Sequence, residues 1–232
     1  LSDTDGSETL SLTVTDIPEG AILSAGTLND DGSVTLTPEQ LDGLTITPPA
    51  DSSADFNLTV TATSSEDGTQ ATTSSTLEVS VSGVADALTL TVEAASGAED
   101  SAIALDITSS LSDTDGSETL SLTVTGIPDG AILSAGTLND DGSVTLTPGQ
   151  LDGLTITPPA DSSADFNLTI TATTSEDGTS ATTSSTLEVT VSGVADTPSV
   201  TVNAASGAED SAIALDITSS LSDTDGSETL SL

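Results

Sequence analysis

The chain has 232 residues, 38 of them Asp or Glu, and no Lys, Arg or His, for a formal net charge of −38. Nothing in it can neutralise a phosphate backbone, which excludes nucleic acid as a partner. Without His, Cys or Lys, the hydrolase triads, zinc sites, P-loops and Schiff-base chemistries have no residues to run on, and no run approaches the 18 apolar residues of a membrane-spanning helix, so direct membrane insertion is not expected.

High charge with few aromatics is ordinarily a mark of disorder, yet 34% of the residues are hydrophobic and they are ordered in sequence. Residues 1–110 and 111–220 align without a gap and differ at twelve positions, among them Asp16/Gly126, Glu39/Gly149 and Leu88/Pro198. Residues 221–232 then restart with LSDTDGSETLSL. A period of 110 is too long for a solenoid unit and suits a free-standing domain. The Gly, Ala and Asp of VSGVADAL (81–88) and VSGVADTP (191–198) interrupt the strand pattern and mark the junctions. Residues 85–194 are therefore expected to be one complete repeat. Residues 1–84 lack its first strand region, and 195–232 carry only the N-terminal part of a third. The chain reads as a window on a longer array.

Taken in order through 85–194, the elements alternate with a period of two, the signature of half-buried strands. Leu88, Leu90 and Val92 come first, then Ile103, Leu105 and Ile107, then Leu120, Leu122 and Val124. Leu154 and Ile156 follow, then the long run Phe166, Leu168, Ile170 and Ala172, and finally Leu187, Val189 and Val191. Between them lie the turn signals IPDG, NDDG, TPGQLDG, TPPADSSAD and SEDG. No segment has a helical period, apart from a turn expected near Pro148–Leu151. The reading is all-β: tandem immunoglobulin-like antiparallel β-sandwich domains on a 110-residue repeat.

Two acidic clusters recur in each repeat, and calcium suits them, since it takes six to eight hard oxygen ligands on a flexible loop. One is SDTDGSE: Asp3, Asp5 and Glu8; Asp113, Asp115 and Glu118; Asp223, Asp225 and Glu228. The other is GAED: Glu99 and Asp100, then Glu209 and Asp210. The strand around 102–107 separates them by about 20 Å, which predicts opposite poles of one domain. In a head-to-tail array one domain's GAED would then face its neighbour's DTDGSE, with Asp86 or Asp196 of the linker between them. NDDG and SEDG read as hairpin turns. A glycosidase carboxylate pair is disfavoured by the missing aromatics and by the repetition of every candidate, so no enzymatic activity is expected.

The string GAEDSAIALDITSSLSDTDGSETLSLTVTGIPDGAILSAG, with TLTPGQLDGLTITPPADSSADFNLTITAT and VSGVADTP, resembles the repeated immunoglobulin-like or cadherin-like domains of giant repeats-in-toxin adhesins, which Gram-negative bacteria export by type I secretion. The resemblance covers the whole chain. It implies a calcium-stiffened extender at the bacterial cell surface that projects terminal adhesive domains outward, with Glu99, Asp100, Asp113, Asp115, Glu118, Asp86 and Asp196 as the matching ligands. The GGxGxDxUx nonapeptide of that export route does not occur in these 232 residues. The expected partners are calcium ions and neighbouring repeats. The alternative reading is a self-assembling extracellular fibre or biofilm matrix, in which an incomplete domain is completed by the first strands of another chain.

Overall fold

The computed structural model describes residues 7–113, 115–223 and 226–231. Its regular elements are strands and two short 3-10 turns, Pro38–Leu41 and Pro148–Gln150. Contact density divides the chain into two compact units. One holds residues 1–86, 113–119 and 175–180; the other holds 87–112, 120–174 and 181–232.

In the first unit a five-stranded sheet runs in the order Thr27–Leu28, Val34–Leu36, Thr9–Thr15, Phe56–Glu66, Thr69–Val79. Leu12 sits opposite Leu36, and Val14 lies opposite both Val34 and Val60, so the alternating apolar residues share one face. Ile22–Leu23 and Ile46–Thr47 form a separate pair. Among the described residues the unit's buried apolar cluster consists of Val14, Val34, Leu36 and Leu58.

The second unit contains the same pairings shifted by 110 residues: Leu122 opposite Leu146, Val124 opposite Val144. Its main sheet has six strands, in the order Thr137–Leu138, Val144–Leu146, Thr119–Thr125, Phe166–Glu176, Thr179–Ser192, Ala95–Ala98. A three-stranded sheet (Ile103–Ala104, Thr155–Thr157, Ile132–Leu133) and the pair Thr89–Val92 with Ile107–Ser110 supply further apolar residues to one core of eighteen buried side chains. Thr and Ser take the outward positions, where they suit a pleated surface and solubilise it without cations. Ser199–Val202 pairs with Ile217–Ser220 at the end of the chain.

Two sequence readings need refinement. The run 103–107 is not one strand. It breaks at Leu105–Asp106, and Ile103 pairs with Ile156 in one sheet while Ile107 pairs with Val92 in another. Nor is every pairing antiparallel: Ala95–Ala98 lies parallel to the end of Thr179–Ser192, with Val189 opposite Ala95. Gly97 allows that crossing, because a Cβ there would lie 2.6 Å from Cγ1 of Ile103.

The NDDG hairpins are Asx turns, as their composition suggests. Asp141 Oδ1 accepts the Ser143 N–H (3.0 Å) and hydroxyl (2.7 Å), and Asp31 does the same with Ser33. These bonds, the hydroxyl first, hold both carboxyls below the ordinary aspartate value. A depressed folded value means that the turn's contribution is complete above the unfolded pKa and is lost as pH falls through the folded one. In an NMR titration Asp141 is expected to titrate below 3.8, and Ser143→Ala is expected to move it back up; an unshifted Asp141 would contradict the turn geometry.

Candidate metal centres

Each unit gathers three carboxylates whose oxygens lie within 4.8 Å of one another. Oxygens gathered that closely could share one ion with metal–oxygen distances of about 2.4 Å, as calcium has.

In the first unit the group is Asp113, Asp115 and Glu176. Asp113 and Asp115 sit on a loop turned by Gly116 at φ +93°. The Asp115 N–H donates to Asp113 Oδ1 (2.8 Å), and the Ser117 hydroxyl and N–H both donate to Asp115 Oδ1. The Ser117 hydroxyl, then its N–H, keep Asp115 below the ordinary aspartate value and therefore ionised. Glu176 arrives from the end of Phe166–Glu176. Its inward face runs Leu168, Ile170, Ala172, Thr174, Glu176, so strand alternation carries a carboxylate inward. Glu176 is 6% exposed, and its Oε1 has no hydrogen-bond partner. A cavity of about 300 Å³ opens here, lined by Asp51, Asp86, Asp113 and Glu176 among others.

In the second unit the group is Asp100, Asp161 and Asp196. Asp100 and Asp161 both hold positive φ, at 56° and 52°. The Asp161 N–H donates to Asp100 Oδ1 (3.0 Å). Beside them Glu99 is 1% exposed. Its Oε1 accepts the Val194 N–H (2.6 Å), while its Oε2 is buried and unpartnered. Oδ2 of Asp196 is likewise buried without a partner.

Acidic and hydroxyl side chains also hold the linker backbone. In the first unit the N–H groups of Gly83, Ala85 and Asp86 donate to Asp177 Oδ2 (2.9 Å), Thr179 Oγ1 (2.7 Å) and Glu118 Oε1 (2.5 Å). In the second, Val194 donates to Glu99 and Asp196 to Glu228 Oε1 (2.5 Å). The first linker thus has acceptors for Gly83, Ala85 and Asp86, and the second for Val194 and Asp196.

Among the residues singled out from sequence, Asp113 and Asp115 come together, as do Asp100 and Asp196. Glu99 lies beside the second group, and Glu118 and Glu228 grip the linker. Asp86 lines the cavity of the first group, and Asp223 is buried and accepts the Ser227 hydroxyl. Glu8 is half-buried, Glu209 and Asp210 are exposed, and none of the three joins a group among the described residues. Asp3, Asp5 and Asp225 lie outside the described residues. The sequence reading missed Asp161 and Glu176. SEDG is indeed a turn, but the alternation from Leu168 already pointed Glu176 inward.

No protein-family model matches the chain, and no curated protein matches it. Among solved structures it is similar to an endo-fucoidan hydrolase from glycoside hydrolase family 107, at 15% identity and a TM-score of 0.28, over 90% of this chain and 34% of that one. It is also similar to a SusE-like surface-located polysaccharide-binding protein from the Bacteroides thetaiotaomicron heparin utilisation locus, at 11% identity and a TM-score of 0.25, over 83% of this chain and 30% of that one. The chain thus spans about a third of the length of these structures, and likenesses this slight carry no argument about function.

The hairpin carrying Glu176 fits closely against the linker. A Cβ on Gly83 would lie 2.1 Å from Cδ of Glu176, whereas one on Gly193 would meet only ordinary contacts at 3.6 Å or more. Gly83→Ala is expected to cost about 1–3 kcal/mol, typical of overpacking. A melting curve of the variant checks this; an unchanged midpoint would contradict the close fit at Gly83.

Proposed function

We propose that the chain is a non-catalytic structural extender, made of repeats whose joints are rigidified by calcium, working outside a bacterial cell as part of a large surface adhesin. The observation that carries this reading is the pair of buried, unpartnered carboxylate oxygens, Glu99 Oε2 beside Asp100, Asp161 and Asp196, and Glu176 Oε1 grouped with Asp113 and Asp115, in a chain without one cationic side chain. Burying a carboxylate is costly unless positive charge meets it, and here that charge has to come from solution. Calcium fits the donor set, since it takes hard carboxylate oxygens in flexible geometry, whereas magnesium demands a tight octahedron and keeps its waters. Asp113, Asp115 and Glu176 would hold one ion, with Asp86 lining the same space. Asp100, Asp161 and Asp196, with Glu99 beside them, would hold another. Asp86 and Asp196 belong to the linkers, so metal bound there ties the linker to its domain and replaces mutual repulsion with coordination.

In the cytosol, where calcium is scarce, the same repulsion would keep the chain loose before export. Outside, binding would couple to folding.

Calcium is expected to raise the melting midpoint of the chain by about 10 °C or more, through mass action on the native state. Asp113→Asn with Glu176→Gln should remove a large part of that rise. Small-angle scattering should give a maximum dimension that falls on chelation while strand content persists. A melting curve and a dimension both indifferent to chelator would overturn the reading.

A further inference from the structure

In the complete repeat the entering and leaving segments of the chain are direct neighbours. Ala95–Ala98 lies parallel to the end of Thr179–Ser192, with Ala95 opposite Val189, Ser96 opposite Thr190, Gly97 opposite Val191 and Ala98 opposite Ser192. The pairing continues past the ladder. The Glu99 N–H donates to the Ser192 carbonyl (3.0 Å), the Ser192 hydroxyl to the Gly97 carbonyl (3.1 Å), and the Val194 N–H to Glu99 Oε1 (2.6 Å). Ala95, Val189 and Val191 close the inward face of the pair and are buried. Hydrogen bonds shielded in this way are stronger than bonds open to water.

Direction decides how such a pair carries tension. The chain reaches Ala95 at one end of the parallel pair and leaves Ser192 at the other. A pull from both sides of the repeat therefore slides the two strands along one another. The bonds of a parallel ladder are evenly spaced, so they are loaded together. Had the two strands been antiparallel, both chain ends would leave from one end, and the bonds would open one at a time. In front of the pair, and in series with it, stands Thr89–Val92. It is held to Ile107–Ser110 by four residue pairs and, through Glu93, to the Asp106 carbonyl (3.1 Å). Its loss frees the chain only as far as residue 94 and leaves the parallel pair in place.

We propose that residues 95–99 and 189–194 form a load-bearing clasp, so that the repeat withstands pulling along the chain as well as occupying length. The extender reading supplies the source of the tension. The clasp itself is made of the protein's own hydrogen bonds.

The chain has no cysteine, so introduced cysteines are its sole attachment points for single-molecule pulling on the full 232-residue chain. Ala87→Cys with Ala195→Cys loads the clasp along its strands. Ala94→Cys with Glu188→Cys pulls apart two residues at the same end of the pair and opens it from there. All four positions are exposed. Forced unfolding follows the barrier to opening, and the rupture force is expected to be several-fold higher for the first pair than for the second. The first pair should also give a small early step, the release of residues 88–94, before the main rupture. Equal forces in the two directions would overturn the proposal. The difference should persist in chelator, and a difference seen only with calcium would assign the strength to a bound ion and overturn the clasp. The extender reading fails separately, on a maximum dimension indifferent to chelator.

Discussion

Every carboxylate in this protein is folded without a cationic side chain to meet it. That constraint shapes the rest of the molecule. A typical domain mixes both signs of charge over its surface. Here acids can be stabilised only by N–H and hydroxyl donors or by ions from solution. The exposed ones take the first route: Asp31 and Asp141 close their own turns, and Asp115 is held by Ser117. The buried ones take it halfway. Glu99 and Glu118 each receive a linker N–H on one oxygen and leave the other without a partner. Backbone donors have been used, and negative charge is still left over.

The leftover charge falls at the linkers rather than being spread over the domain. In the first linker Asp177, Thr179 and Glu118 accept the N–H groups of Gly83, Ala85 and Asp86, and in the second Glu99 and Glu228 accept those of Val194 and Asp196. This orders the linker backbone, and it concentrates carboxylates there, where they repel one another. The same residues therefore both hold the linker backbone and load it with charge. On the proposed reading an external divalent ion would relieve that repulsion without altering the backbone bonds.

Much of the fold was legible from the sequence because the apolar period is strict. Leu122 and Val124, Leu168 and Ile170, Leu187 and Val189 all bury as alternation requires. Less was legible where the chain changes sheet. Ile103 to Ile107 keeps its period through the break at Asp106, so periodicity alone reads one strand where the structure has two. The short strands at 132–133 and 137–138 have too few residues to show a period at all. In the candidate centres the acidic motifs identified Asp100, Asp113, Asp115 and Asp196. Asp161 was hidden because loop folding, not spacing, brings it to Asp100. Glu176 was hidden by its SEDG context, though the inward run from Leu168 carried the signal. Glu99 is buried because its pocket is built from the linker that follows its own repeat, whose Val194 N–H it accepts.

The most direct measurement is anomalous diffraction from crystals grown in calcium, collected at a wavelength where calcium scatters anomalously. The account predicts peaks at two places: among Asp113, Asp115 and Glu176, and among Asp100, Asp161 and Asp196 beside Glu99. Well-ordered density for these side chains with no anomalous peak at either place would contradict it.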